Sequence, residues 1–325
     1  MKTATWIGVL LGLGGLAALV SWQGATTIAA HFGAADWAIL LVGLIALPEL
    51  VFATASWRCL FPDDQRPGFS RLMLAMWMGT SVNLLLPVAT IGGEVVKARY
   101  LIQRAVPGIL AVSSVFVDKT VQASSILVWS LIGLGFLLLG DPPDHIVIGV
   151  ILGAALLLLG IAGFIAVQRA RPFEALTKRA LRRGSSSRWA ELVGDAAGLD
   201  REIRALYGQP GRLLLSTLLR LCARVVLAGE VWFAAWLMGL PIGFGEAVIL
   251  KSLGMALRAA GFVVPGGIGL QEGAYVALGL LIGLPPDAML SLSLASRLRE
   301  LIAGVPGLLA WQIGEGRMIL ARRAT

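Results

Sequence analysis

Long apolar segments separated by short polar ones dominate the sequence. Apolar runs of about 20 residues are long enough to cross a bilayer as helices, and the pattern predicts full spans at 4–22, 37–60, 108–139, 146–167, 211–238 and 288–312. Two further apolar segments, 71–105 and 246–283, contain proline and glycine near their middle, which interrupts a helix. The pattern therefore predicts an all-α polytopic membrane protein with about six full transmembrane helices and two broken segments.

Basic residues in the loops indicate which ends of the spans face the cytoplasm. Lys and Arg are absent from the loops 23–36, 140–145, 239–245 and 283–287, and they are concentrated in 61–71, 168–212 and the C-terminal tail. Cytoplasmic loops are enriched in Lys and Arg, so we expect both termini to be cytoplasmic. Each broken segment must then enter and leave on one side. We predict two re-entrant helical hairpins, at 71–105 and 246–283, that dip into the membrane from opposite faces.

A repeated spacing indicates that the two hairpins arose by duplication. The residues Pro87-Glu94-Pro107-Lys119 recur without a gap, 178 positions later, as Pro265-Glu272-Pro285-Arg297. The same offset lays span 37–60 over 215–238 in the opposite orientation. We therefore predict an inverted-topology repeat, an arrangement found in transporters, with repeat 1 at 37–139 and repeat 2 at 215–317.

Residues outside the repeats have simpler assignments. We expect 1–36 to form a first transmembrane helix, uncleaved, with an outer loop, and 318–325 to form a cytoplasmic tail. Residues 140–214 would be a transmembrane helix followed by a basic cytoplasmic loop, whose apolar residues recur at helical spacing: Trp189, Leu192, Val193, Ala196, Leu199, Ile203 and Leu206. This amphipathic stretch is predicted to lie on the cytoplasmic leaflet.

Composition agrees with a membrane protein and argues against several other classes. Hydrophobic residues make up 57% of the 325 positions and charged residues 14%, which leaves too little polar surface for a water-soluble domain. The net charge of +8 comes mainly from residues that flank spans, which favours contact with anionic lipid over nucleic acid. Cys59 and Cys222 form no metal motif, and His31 and His145 fall in outer loops, so we expect neither a metal nor a cofactor.

Charged residues inside the apolar segments are the candidate functional residues. A charge at the centre of a bilayer costs at least about 2.5 kcal/mol on insertion scales, so these side chains should face one another or a cavity. The candidates for a substrate or lipid pathway are Glu94, Asp118, Lys119, Arg220, Arg224, Arg258, Glu272, Arg297, Arg299 and Glu300, with Glu230 and Lys251 as additions. Their slight excess of basic residues favours an anionic headgroup over a cation as ligand.

The hairpin tips should be polar. Non-helical backbone at membrane depth is tolerated only where protein or a water-filled cavity satisfies its polar groups. We assign the tips to Asn83, Pro87, Gly92, Gly93, Pro265, Gly266, Gly267 and Gly269. Asn83 is expected to satisfy carbonyls freed by Pro87. Glu94 and Glu272 either cap the restarting helices or accept a proton during transport, and the sequence leaves both roles open.

The hairpin motifs resemble those of the lysylphosphatidylglycerol synthase transmembrane-region family. The resemblance is carried by Gly92-Gly93-Glu94 with Lys97 and Arg99, and by the segment PGGIGLQE that ends at Glu272, and it extends over nearly the whole chain. It implies translocation of lipid between leaflets, with the hairpin residues as the pathway. Within the family, the chain looks similar above all to the membrane proteins encoded with hopanoid biosynthesis.

The chain departs from the family pattern at two places. Similar proteins often carry Arg immediately before the second glutamate, where this chain has Gln271, and a Glu-Arg pair where it has Asp118 and Lys119. No direct headgroup contact is therefore assigned to Gln271. The family includes the N-terminal flippase module of the multiple peptide resistance factor. The sequence ends at Thr325 without the soluble aminoacyl-transferase domain of that factor, so we do not expect it to aminoacylate lipid by itself.

The sequence favours a secondary lipid transporter, or flippase, of the bacterial inner membrane. Its ligand would be a lipid with a polar headgroup, anionic or hopanoid-type, and rocking of one repeat against the other would expose the site to each side in turn. We expect no enzymatic activity. Two alternatives remain open: a scaffold that binds lipid-biosynthesis enzymes, and a membrane-embedded lipid transferase that uses Glu94 or Glu272 as a general base.

Overall fold

The computed structural model describes residues 21, 24–86, 92–140, scattered positions within 148–166, 196–260 and 267–323. These residues are helical apart from short turns and connections, and none of them is in a strand. The all-α prediction is confirmed for this part of the chain. Residues 4–20 of the predicted first span and the predicted tip residues Pro87, Pro265 and Gly266 lie outside it.

Ten α-helices follow one another along the described residues. They are α1 (Ala25–Ala35), α2 (Ala46–Arg58), α3 (Phe69–Leu85), α4 (Gly92–Ile102), α5 (Gly108–Leu138), α6 (Ala196–Tyr207), α7 (Pro210–Leu237), α8 (Phe244–Ala260), α9 (Leu270–Leu281) and α10 (Pro286–Arg323), and a 3₁₀ segment, Asp36–Ile45, joins α1 to α2. Proline stands immediately before α5 and in the first turn of α7 and α10, where its missing N–H is not needed.

Two stretches among the described residues are long and apolar enough to cross a membrane. They are Ala25–Arg58, which runs through α1, the 3₁₀ segment and α2, and Gly108–Leu138, which is α5. Helices α7 and α10 have 28 and 38 residues, but charged residues interrupt their apolar runs. The number of six full spans therefore stays a prediction.

The outer loop predicted over 23–36 is helical from Ala25 to Ala35. This segment lacks Lys and Arg, which led to its assignment as an outer loop, but it also lacks proline. Ile28 and Ala35 are buried in an apolar core that includes Val231 of α7 and Met289 of α10. Burial against these helices accounts for helix formation here, since packing provides most of the stability of a short helix.

Helices α3 and α4 form an antiparallel hairpin. Gly79 and Gly93 bring the two backbones so close that a Cβ on Gly93 would overlap the carbonyl oxygen of Gly79. Further from the turn, Lys97 Nζ lies 3.9 Å from Met76 Sδ, and Leu101 is buried in the same core as residues from the start of α3.

Helices α8 and α9 form a second antiparallel hairpin at the place that the sequence predicts. Gly254 lies against the ring of Tyr275, since a Cβ there would be 3.1 Å from Tyr275 Cε2. Nearer the turn, Arg258 donates to Gln271. The described parts of both broken segments thus form helical hairpins, and their depth in a membrane stays a prediction.

The hairpin of each half of the chain packs against a long helix of the other half. Helix α3 of the first hairpin packs on α10, and α8 of the second hairpin packs on α5. Helix α2 packs along α7 between them, while α1 contacts α10 and α6 contacts α5. Each long helix that follows one hairpin therefore supports the first helix of the other hairpin.

The amphipathic helix predicted for the cytoplasmic leaflet has its apolar face buried against protein where it is described. Leu199, Ile203 and Leu206 of α6 are buried in the core formed with α5, and the hydroxyl of Tyr207 lies 2.7 Å from that of Thr120. The helical period predicts an apolar stripe but not what covers it. The predicted residues Trp189, Leu192 and Val193 lie outside the described part of the chain.

Candidate functional site

Glu94 stands in the first turn of α4 between two lysines. Lys97, one turn further along α4, places Nζ 2.6 Å from Glu94 Oε2, and Lys119 of α5 places Nζ 2.7 Å from Glu94 Oε1. The side chain of Glu94 is only 12% exposed. Both of its oxygens are therefore paired with a cation, and the pairs tie the first hairpin to the helix that follows it.

Asp118 extends this first cluster to α7. Its carboxylate, 1% exposed, accepts from Lys97 Nζ at 3.2 Å and from Arg220 Nη2 at 2.6 Å. Lys97 is absent from the predicted pathway residues, although it lies three residues after Glu94 and so shares its helix face. That spacing was the signal that could have added it to the site. Its ammonium also lies 5.4 Å from the centre of the Trp57 ring.

Asn83 acts on the first turn of α4 rather than on carbonyls near Pro87. Its Oδ1 accepts from the Gly93 backbone N–H at 2.8 Å, and its Nδ2 donates to Glu94 Oε1 at 3.2 Å. Among the described residues the Asn83 side chain bonds to Gly93 and Glu94, so the expected role at the freed carbonyls is not observed. Asn83 instead caps a free helical N–H and orients the carboxylate.

Glu272 is the counterpart of Glu94 in the second hairpin, and it is fully buried. Its Oε2 accepts from the backbone N–H of Gly269 at 2.7 Å, which caps α9, and its Oε1 accepts from Arg297 Nε at 2.8 Å. Capping and ion pairing therefore occur together. One carboxylate oxygen binds the turn and the other binds α10.

Glycine is required at this second turn. Gly267 and Gly269 have φ values of +60° and +80°, in the left-handed region. A Cβ on Gly267 would also lie 2.7 Å from Arg258 Cγ. The carbonyl of Gly267 accepts from Arg297 Nη2 at 2.8 Å, so the turn conformation positions the same arginine that pairs with Glu272.

The second cluster continues along α10. Glu300 accepts from Arg297 Nη1 at 2.9 Å and from Arg258 Nη1 at 2.6 Å. Arg258 also donates to Gln271 at 2.7 Å. Gln271, where similar proteins often carry arginine, is thus an internal link between α8 and α9.

Glu230 of α7 completes the second cluster. It is fully buried and pairs with Arg299 Nε at 2.8 Å and with Lys251 Nζ at 3.3 Å. Residue Glu230 therefore connects α7 to α8 and α10, as Arg220 connects α7 to the first hairpin. Helix α7 takes part in both clusters.

Arg224 lies on α7 one turn beyond Arg220, between the two clusters. It is buried, and its Nη1 donates to Met255 Sδ of α8 at 3.8 Å. Glu49 of α2 is close enough to interact electrostatically with both Arg224 and Arg299. The two clusters thus meet around the middle of α7.

The carboxylates of the site are engaged by basic side chains rather than grouped for a metal. Among the described residues, no group of three or more His, Cys, Asp and Glu side chains could hold a metal ion. Two basic side chains share each of the carboxylates of Glu94, Asp118, Glu230 and Glu300, whereas Glu272 pairs with one base and with the turn backbone.

Comparison with known proteins agrees with the motif analysis. The family model described as the lysylphosphatidylglycerol synthase TM region matches residues 5–307. No curated protein and no solved structure matches the chain.

Proposed function

Because the chain belongs to the lysylphosphatidylglycerol synthase transmembrane-region family, we propose that this membrane protein is a secondary lipid transporter. It moves a lipid with a polar, anionic headgroup between the leaflets of the bacterial inner membrane. The observation that carries the proposal is the matched pair of ion pairs, Glu94 with Lys119 and Glu272 with Arg297, one at each hairpin, in which the glutamate is the more buried partner.

An inverted repeat is part of this proposal. The exchanged packing supports it, because α3 on α10 and α8 on α5 are the same contact viewed from either half. The contacts of Lys119 and Arg297, 178 positions apart, support it at the level of single side chains. In this arrangement the hairpins are re-entrant from opposite faces and both termini are cytoplasmic.

Shared partners allow a headgroup to enter without leaving a buried carboxylate unpaired. Asp118 has both Lys97 and Arg220, and Glu230 has both Lys251 and Arg299. When a lipid phosphate takes one of these bases, the carboxylate keeps the other. This avoids the cost of about 3–5 kcal/mol that follows when one partner of a buried pair is lost.

The headgroup therefore travels along exchanging ion pairs while the acyl chains stay in the bilayer. Transport of this kind needs no covalent chemistry, and either an ion gradient or a concentration difference can drive it. Glu94 and Glu272 would hold the two ends of the path. Their replacement should slow transport more than replacement of an exposed carboxylate.

Reconstitution tests the proposal. Purified full-length protein in liposomes should accelerate leaflet exchange of fluorescent phosphatidylglycerol over empty liposomes, and Glu94→Gln or Glu272→Gln should reduce the rate at least about tenfold. Asp64→Asn, at an exposed carboxylate, is the matched control and should leave the rate unchanged. Exchange no faster than in empty liposomes, with a hopanoid-type lipid as well as phosphatidylglycerol, would refute transport.

Mass spectrometry of the lipids after the same incubation separates transport from transfer chemistry. Unaltered lipid masses are expected. A new covalently modified lipid that disappears in Glu94→Gln would favour the membrane-embedded transferase instead.

A further inference from the structure

Arg224 differs from the other basic residues of the site in having no carboxylate of the described residues within ion-pair distance, although Glu49 interacts with it at longer range. The remaining ones, Lys97, Lys119, Arg220, Lys251, Arg258, Arg297 and Arg299, each pair with Asp or Glu. Arg224 is 6% exposed, and its Nε and Nη2 have no hydrogen-bond partner. Its Nη1 has only the thioether of Met255, at 3.8 Å.

A buried guanidinium with unused donors is costly, because its desolvation is not offset by pairing. Buried polar groups of folded proteins are nearly always satisfied, and an exception calls for a ligand or another explanation. Arg220, four residues earlier, lies on the same face of α7 and also has an unpaired nitrogen, Nε, beside its bond to Asp118. Two guanidinium groups therefore offer free donors within one turn.

We propose that Arg224, assisted by Arg220, binds the phosphate group of the transported lipid between the two hairpins. That the phosphate belongs to a transported lipid rests on the proposed function. The anion site itself is inferred from the positions of Arg220 and Arg224 on α7. Guanidinium groups bind phosphate through paired N–H bonds, and they are more easily desolvated than an ammonium group.

Charge balance agrees with one bound phosphate. Formally, the described site holds eight basic side chains, Arg224 and the seven paired ones, against six acidic ones, Glu49, Glu94, Asp118, Glu230, Glu272 and Glu300. The excess of two positive charges suits a phosphodiester or phosphomonoester. Glu49 opposes an anion near Arg224, and the excess remains after it is counted.

The position of Arg224 lets one phosphate influence both hairpins. Through Arg220 and Asp118 it is linked to Lys97 of the first hairpin. Through Met255 it contacts α8 of the second hairpin. A bound phosphate would therefore lie where a change in either hairpin alters its contacts.

Lipid binding by the purified full-length protein tests the site. In native mass spectrometry and titration with phosphatidylglycerol, Arg224→Gln should weaken binding at least about tenfold, since charge-assisted hydrogen bonds are lost. Arg224→Lys should bind with intermediate affinity. Arg212→Gln is the matched control, because Arg212 is on the same helix but pairs with the exposed Asp63, and its binding should equal that of the native protein.

The probes distinguish the source of the phosphate. Phosphatidic acid and phosphatidylglycerol should both bind, and diacylglycerol should not. Displacement of bound lipid by inorganic phosphate would show that the phosphate group alone suffices, while failure of inorganic phosphate with retained lipid binding would show that the acyl chains are needed; both support the site. Equal binding of diacylglycerol, or native affinity in Arg224→Gln, would overturn it.

Thermal unfolding in lipid-free detergent gives a second readout. Arg224→Gln should raise Tm by roughly 2–4 °C, because it removes an unpaired buried charge, whereas Arg220→Gln should lower it by leaving Asp118 with fewer partners. A fall of Tm in Arg224→Gln would mean that the guanidinium is already satisfied, which contradicts the site. A native transport rate in Arg224→Gln would refute the phosphate site but not the transporter function. Lipid binding that depends on Arg224, without any transport, would refute the transporter function but not the site.

Discussion

Lys119 and Arg297 make the same two contacts in the two halves of the molecule. Lys119 joins Glu94 of the first hairpin to Gln122, three residues further along its own helix, and Arg297 joins Glu272 of the second hairpin to Glu300 at the same spacing. The two halves differ in the burial of the side chains in these contacts and in whether the glutamate has a second basic partner. Glu94 also pairs with Lys97, whereas among the described residues Glu272 pairs with Arg297 alone.

This difference predicts unequal costs of removing the two bases. Arg297→Gln should lower the free energy of unfolding by about 3–5 kcal/mol, since it leaves Glu272 buried without its cation. Lys119→Gln should cost about 1 kcal/mol, because Glu94 retains Lys97 and the Lys119 side chain is partly exposed. Thermal and denaturant unfolding in the same detergent measure both values.

A double-mutant cycle checks the cause. Glu272→Gln with Arg297→Gln should be less destabilised than Arg297→Gln alone, since the glutamine can still accept from Gly269 and no charge is left alone. The exposed pair Asp63 and Arg212 is the control, with a coupling below about 1 kcal/mol. Similar couplings for the two pairs would contradict a buried ion pair at Glu272.

Gly93→Ala should damage the first hairpin. The added methyl overlaps the carbonyl oxygen of Gly79 and crowds Asn83, so α3 and α4 must separate. We expect a loss of about 1–3 kcal/mol in stability, together with slower lipid exchange. Gly135→Ala in α5 is the control, because nothing lies within 4 Å of its added Cβ, and it should be neutral or stabilising. Equal effects of the two substitutions would argue against the close approach.

Helix α6 should behave as part of the protein core. Ile203 is fully buried, so Ile203→Ala should cost about 2–5 kcal/mol. Arg201→Ala on the exposed side of the same helix should change stability by less than about 0.5 kcal/mol. A helix that rested on lipid would lose little in either variant when measured in detergent, and that result would favour the leaflet location.

Cysteine labelling tests whether the hairpins are re-entrant. In a background with Cys59→Ser and Cys222→Ser, single cysteines are placed at the exposed positions Gln65 and Arg104, which flank the first hairpin, and Pro241 and Pro285, which flank the second. A membrane-impermeant maleimide added to right-side-out vesicles should label positions 241 and 285 but not 65 and 104. Labelling of one flank only within either pair would mean that this segment crosses the membrane completely.

Much of the helix pattern could be predicted from local chemistry. Proline before or within the first turn fixes the starts of α5, α7 and α10, and the glycines near Glu272 predict a turn that only glycine can form. The equivalence of Glu94 with Glu272 also follows from spacing. These features depend on residues close together in the chain.

Contacts between distant helices could not be predicted in the same way. That Asp118 meets Arg220 depends on how α5 and α7 are rotated against each other, and the apolar period does not determine this rotation. Leu199 and Ile203 have the pattern of a membrane-surface helix and are covered by α5 instead. The loop predicted at 23–36 is helical for the same reason, since its partners in α7 and α10 lie about 200 residues or more away.

The exchanged packing of α3 on α10 and of α8 on α5 attaches each hairpin to a long helix of the other half. A swing of the halves as two rigid bodies would have to break both of these interfaces at once. For the proposed transport cycle we therefore expect the hairpins to move against a frame of long helices within each half. Cross-linking α2 to α7 should then leave the transport cycle intact, whereas cross-linking α3 to α10 should arrest it.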